Sequence, residues 1–165
     1  MAEYASTTED GACIFCKISS GDIKTPGVFW ENDEFMAFLS MWPNTKGTTV
    51  LMPKMHYESD VLRLPDETLG RFVLAAKTVS RILENHFNDV GRVGLAMEGT
   101  GIDHAHIKLF PLHGTEHMKK GKWKQQHSGI DSFFETYEGY FATNDGPKAN
   151  EAEIKTLAKT LRKMS

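Results

Sequence analysis

Scarcities narrow the field first. The 165-residue chain holds only two cysteines, Cys13 and Cys16. A single pair two residues apart cannot staple a domain of this size, so a disulfide framework is excluded. A basic excess is also missing: 19 Lys and Arg stand against 22 Asp and Glu, a net charge of −3. That argues against a protein whose main task is gripping nucleic acid. No apolar run approaches the roughly 18 residues of a membrane helix. Met1 to Gly11 is acidic and lacks the basic-then-apolar order of a signal peptide, so the expected setting is the cytoplasm. There is no internal repeat and no low-complexity tract. The length fits one domain with an appended tail.

What is present reads as an α+β pattern. Cys13 to Ile18, followed by Ser19-Ser20-Gly21-Asp22, reads as a single short helical turn ending at Gly21. Val28–Glu31 and Phe35–Leu39 flank Asn32-Asp33-Glu34, the signature of a β-hairpin. Pro43 to Gly47 is a loop by its residue types, and Thr48 to Met52 is a β-branched third strand. Leu64-Pro65-Asp66-Glu67 then opens a long helix, in which Leu69, Phe72, Val73, Ala76, Leu83 and Phe87 recur at helical spacing. Arg92–Met97 and His104–Phe110 are two more strands around the glycine-bearing turn Glu98 to Asp103. The expected fold is therefore a five-stranded, mostly antiparallel sheet with one long helix on one face.

The divisions expected are a frayed terminus (1–11), a main α+β domain (12–114) and a C-terminal extension (115–165). In the extension, Ser132 to Phe141 has no clear state and Asn144 to Pro147 reads as a turn. Asn150 with Glu153 looks like a helix cap, and Ile154, Leu157, Ala158 and Leu161 form one apolar stripe that docks on the body. Lys119, Lys120, Lys122 and Lys124 surround Trp123. They either reach over the site to meet phosphates or form a solvated loop; Trp123 either packs on a partner or caps a base. His86, His117 and His127 are read as solvent-facing.

The chemistry lies in Asp103-His104-Ala105-His106-Ile107-Lys108-Leu109-Phe110. Strand side chains alternate, so His104, His106 and Lys108 share one face while Ala105, Ile107 and Leu109 face the core. Neutral imidazole is a nucleophile near pH 7 that can attack phosphorus. Lys108 and the backbone N–H groups of Gly99-Thr100-Gly101 are candidates to hold an anion. Cys13-x-x-Cys16 by itself is half a structural zinc site, a redox pair or two inert thiols, and no thioredoxin-like βαβ pattern supports the redox reading.

These residues resemble the histidine-triad superfamily of nucleotide hydrolases and transferases over about residues 12–114. The likeness runs through Cys13 to Ile18, Phe35 to Phe38, the Pro43 to Gly47 loop, Val50 to His56 and the histidine motif. It implies a five-stranded antiparallel sheet joined across a homodimer. It also implies a nucleotide substrate of the adenosine phosphoramidate or dinucleoside polyphosphate kind, and a covalent intermediate on His106. The first motif histidine matches His104, and Lys108 stands where the third histidine belongs. Thr48 follows the loop glycine where a histidine is frequent, Ser40 replaces an acid that holds ribose hydroxyls, and Met97 replaces an asparagine. The nucleotide-binding set is Phe38, Ser40, Thr48, Gly99 and Thr100. His113 is a candidate substitute for a missing group. Bacterial-type members bind a structural zinc, and the matching positions here are Cys13, Cys16, His56 and His104. The alternative is a zinc-stiffened nucleotide sensor with weak or no turnover.

Overall fold

A computed structural model describes residues 5–124 and 148–163. The expectations for His127, Ser132 to Phe141 and Asn144 to Pro147 lie outside the described residues.

The elements run α1 (Ile14–Ser20), β1 (Val28–Glu31), β2 (Phe35–Leu39), β3 (Thr49–Pro53), α2 (Asp66–His86), β4 (Val90–Ala96), β5 (Ile107–His113) and α3 (Glu151–Arg162). The strands form one five-stranded sheet in the order β1-β2-β3-β5-β4, every pair antiparallel. The β1–β2 hairpin closes where Asn32 Oδ1 accepts from the N–H groups of Glu34 and Phe35 at 3.0 and 2.7 Å. This asparagine turn is one that sequence can announce.

Each face of the sheet carries an apolar cluster. All five residues of β2 are buried. Phe35, Ala37 and Leu39 enter the main core with Phe72, Ala76, Val79 and Leu83 of α2. Met36 and Phe38 enter a smaller cluster with Phe15 of α1 on the opposite face. Strand alternation thus supplies two cores from one β2 sequence. Val73, assigned to the apolar stripe of α2 by spacing, is exposed; Ala75, Val79 and Ile82 complete the buried face instead.

The terminal helix α3 is capped by Asn150, whose Oδ1 accepts from the N–H of Ala152 at 2.8 Å and of Glu153 at 3.4 Å. Its Ile154, Ala158 and Leu161 join the main core, so the extension is continuous with the body there. Arg162 clasps the edge strand β1 by donating from Nε to the Val28 carbonyl at 2.6 Å.

The lysine-rich segment does not reach the histidines. Lys119 Nζ donates to the carbonyls of Glu84 and Phe87 at 2.7 and 3.1 Å, answering the unsatisfied carbonyls at the C-terminal end of α2. Trp123 is exposed in the described chain. His86 and His117 are half-buried rather than solvent-facing. The His86 ring packs edge-on against Phe87 at 4.6 Å, and burial pushes its pKa down.

Candidate active site and metal centre

His104, Ala105 and His106 precede β5 instead of lying within it. The physical reason is that their polar groups bond elsewhere. The Ala105 N–H donates to the Tyr57 carbonyl at 2.9 Å, and the His104 N–H turns back to Ile102 at 2.8 Å. Side-chain parity nevertheless survives. Ala105, Ile107 and Leu109 all lie in the main core, while His104 and His106 are buried on the other side and Lys108 is partly buried.

His106 is set up as a nucleophile. Its Nδ1 donates to the His104 carbonyl at 2.7 Å, which fixes the proton on that nitrogen and leaves the Nε2 lone pair uncommitted. The ring of Phe15 stands edge-to-face against it at 5.4 Å. Burial, with a smaller push from Lys108, holds its pKa below the ordinary histidine value, which favours the neutral imidazole.

His106 opens into a cavity of about 460 Å³. Phe15, Phe38 and Val50 give it apolar walls, and Ser40, Thr100 and Lys108 supply polar groups. A small apolar cavity with few polar groups is the usual form of a small-molecule site. Two expected contributors fall outside its lining. Thr48 is turned into the preceding loop, its hydroxyl 3.1 Å from Asn44 Oδ1 and 2.8 Å from the Thr45 carbonyl. Gly99, at φ +61°, packs on Ser59, where an added Cβ would sit 2.6 Å from the Ser59 carbonyl oxygen. His113 is not a substitute for the missing histidine. It sits at the far end of β5, seven residues and about 23 Å of strand from His106. There its Nδ1 pairs with Asp89 at 2.9 Å and its Nε2 faces the Lys46 carbonyl at 3.0 Å.

Lys108 is not an isolated cation. Its ammonium is ion-paired with Glu98, and the two side chains are only 18% and 13% exposed. Sequence reading missed this glutamate. The signal available was weak: Glu98 lies two residues past the end of β4, and Ala96 is the register partner of Lys108.

Beside this cavity, four of the described side chains converge, Cys13, Cys16, His56 and His104, with ligand atoms all within 4.8 Å of one another. Cys13 at the N-cap of α1 and Cys16 within it supply the thiols, the loop after β3 brings His56, and the segment before β5 brings His104. Cys13 Sγ lies 3.5 Å and Cys16 Sγ 3.6 Å from His104 Nδ1, and Cys16 Sγ lies 3.4 Å from His56 Nδ1. Zinc bonds of about 2.0–2.3 Å in a tetrahedron require ligand–ligand edges of about 3.3–3.8 Å, and these separations match. His104 Nε2 donates to the Pro53 carbonyl at 2.9 Å, which leaves Nδ1 unprotonated and aimed at both sulfurs. Burial, then the neighbouring Cys13, pushes the Cys16 thiol up, a penalty on a bare thiolate that a divalent cation removes. The donor set therefore fits zinc.

No protein-family model matches the chain. Among curated proteins, it is 35% identical over 106 residues to a HIT-like protein of Methanocaldococcus jannaschii, spanning 60% of this chain and 78% of that one. It is 26% identical over 142 residues to the adenosine 5′-monophosphoramidase of Saccharomyces cerevisiae, spanning 86% of this chain and 89% of that enzyme. Among solved structures, a zinc-bound histidine triad family protein from Mycobacterium smegmatis shares the fold with a TM-score of 0.61 at 18% identity. That likeness covers 92% of this chain and 94% of the other.

Proposed function

The chain belongs to the histidine-triad family, and from that premise we propose that it is a nucleotide hydrolase or transferase working through His106. The observation that carries the reading is the hydrogen bond from His106 Nδ1 to the His104 carbonyl, which presents an unprotonated Nε2 to an apolar-walled cavity. The substrate class is an adenosine-type phosphoramidate or dinucleoside polyphosphate, in keeping with the activity named for the yeast relative.

In this mechanism the Nε2 lone pair attacks the phosphorus, and the bond opposite breaks in line, the leaving amine or phosphate taking the bonding electrons and, for the amine, a proton from solvent. The nucleotidyl-imidazole carries a positive charge, which the His104 carbonyl stabilises by accepting the Nδ1 proton's hydrogen bond. Water then attacks the same phosphorus and gives up a proton to solvent, which releases a nucleoside monophosphate and returns the lone pair to Nε2. Lys108 offsets charge on the phosphoryl oxygens, tempered by its pairing with Glu98. Phe38, Ser40 and Thr100 position the nucleotide, Phe38 by contact with its base and the other two by hydroxyl groups. Gly99 shapes the turn that carries Thr100.

Zinc is proposed on Cys13, Cys16, His56 and His104. When bound, it supplies a structural cross-link between α1, the loop after β3 and the segment that holds His106. A cytoplasmic homodimer is proposed as well. The edge strand β4 is available for it and carries the exposed Leu95. Among the described residues no helix is long and apolar enough to cross a membrane. Light scattering that returned a monomer mass would refute the dimer.

The test is incubation with adenosine 5′-phosphoramidate and with dinucleoside polyphosphates, beside His106→Ala. Turnover that disappears in the variant supports the enzyme. A second reading, a zinc-stiffened nucleotide-binding module with weak or no turnover, draws on the Glu98–Lys108 pair, which damps the charge at the third motif position. Tight nucleotide binding without turnover in the parent protein establishes that reading instead.

A further inference from the structure

The nucleotide cavity does not end at its apolar middle. A second cleft of about 640 Å³ adjoins it, between α3 and the chain around β1. The two share Ile18, Ile23, Lys24, Thr25, Pro26 and Glu151 as walls. The sheet register measures how they are arranged. Lys108 pairs with Val50, Val50 with Phe38 and Phe38 with Val28, one residue on each of four adjacent strands. Three strand spacings separate Lys108, beside His106, from Val28, in the wall of the second cleft: about 14 Å.

The far end is cationic. Lys155, Lys159 and Arg162 follow one another along one face of α3 and line the cleft with Lys24; Glu151 is the one carboxylate in its wall. Lys148 stands in the wall of the nucleotide cavity. Among the described residues Lys24, Lys148, Lys155 and Lys159 make no ion pair with a carboxylate, in a chain of net charge −3. The face is held in place, because Ile154, Ala158 and Leu161 are buried in the core and Arg162 is anchored on the Val28 carbonyl.

We propose that this cleft is the distal half of an elongated substrate site, taking a second phosphate carried on the nucleoside half of the substrate. The inference rests on the nucleotide reading of the His106 cavity. The geometry distinguishes the two halves of a substrate. In-line attack places the leaving group on the side of phosphorus opposite Nε2, whereas the apolar walls that take the base lead across the sheet to the cations. A nucleotide phosphorylated on its ribose therefore sends one phosphate to His106 and the other toward Lys24, Lys148 and α3. Ser40, on the cavity wall, adds no negative charge that would repel it. The discrimination is the one used by dinucleotide sites, where an acid suits a free ribose hydroxyl and a cation suits its phosphate.

The test is calorimetric titration of the full chain at about 0.1 M salt with adenosine 5′-monophosphate, adenosine 3′,5′-bisphosphate and adenosine 5′-diphosphate. The exposed double variant Lys155→Ala/Lys159→Ala is titrated alongside, with its melting temperature checked. The bisphosphate is expected to bind about tenfold more tightly than the monophosphate, with the advantage shrinking as salt rises. The double variant should lose most of that advantage and leave monophosphate affinity unchanged. Equal affinities in the parent protein overturn the inference, as does a preference that persists in the variant. An equal gain for the diphosphate overturns it too, since the extra phosphate is then read on the leaving side. A single-stranded oligonucleotide that binds more tightly than either, through the same lysines, replaces it with a nucleic-acid surface. Failure of the monophosphate to bind at all refutes the nucleotide reading itself; binding without a bisphosphate preference refutes only the cleft.

Discussion

Removing either partner of the Glu98–Lys108 pair should cost more stability than removing both. The two side chains are 13% and 18% exposed, so a lone charge left behind is poorly solvated. Breaking a fully buried pair costs about 3–5 kcal/mol, and the residual exposure here lowers that to about 2–4 kcal/mol for Glu98→Gln or Lys108→Met alone. The double variant carries neither charge and should lose about 1 kcal/mol or less relative to the parent. The coupling energy is then about 3 kcal/mol or more. For a chain of this size, a urea dependence of about 2 kcal/mol per molar places each single variant's midpoint about 1–2 M below the parent. The assay is urea unfolding followed by circular dichroism, with every sample brought to the same zinc content, because a ligand bound only to the native state shifts apparent stability. Singles that cost under about 0.5 kcal/mol, or a double variant whose loss equals their sum, would show that the pair is solvated and refute the reasoning.

Three further outcomes follow from other parts of the molecule. Cys13→Ser removes one of four convergent ligands, so elemental analysis should find zinc in the parent and a large loss in the variant, with a lower melting temperature; a parent protein purified without stoichiometric zinc refutes the site. Leu161→Ala empties a fully buried position under α3 and should destabilise by about 2–5 kcal/mol; a loss below about 1 kcal/mol would mean that α3 is not packed on the core. The Asp89 carboxyl is held below its ordinary pKa, first by its hydrogen bond with His113. Its contribution is therefore present above the unfolded value of about 3.9 and is lost as pH falls through the lower folded value. Unfolding midpoints measured from pH 2 to 5 should climb less steeply in Asp89→Asn, and superimposable profiles would contradict the pairing.

Much of the fold is legible because it depends on neighbours in sequence. Asn32 closes its hairpin and Asn150 caps its helix through contacts two or three residues away. The apolar stripe of α3 follows helical period and buries Ile154, Ala158 and Leu161 as the pattern demands. Period alone misplaced Val73, since a stripe does not say how wide the covered face is. In the candidate site, the alternation of His104, Ala105 and His106 reads correctly even though those residues do not join the ladder. An extended backbone keeps side-chain parity whether or not its N–H groups pair with a strand. Thr48 and His113 misled because being near the motif in family order, or near it in sequence, says nothing about where a side chain turns.

By itself, the sequence determined the two-faced histidine run, the spacing of the cysteine pair, the sheet-and-helix alternation and the absence of a disulfide framework. Those are local patterns, set by bond geometry and residue type. Only the tertiary structure decided that Lys108 shares its charge with Glu98, that Lys119 serves the end of α2, and that α3 carries its lysines to the border of the nucleotide cavity. Each of those joins residues brought together by core packing, whose free energy comes from apolar burial that is blind to which polar groups are placed side by side. The opening scarcity of cysteine acquires its meaning in the same way. Two thiols on one short helix become half of a four-ligand cluster only because the sheet delivers two histidines to them.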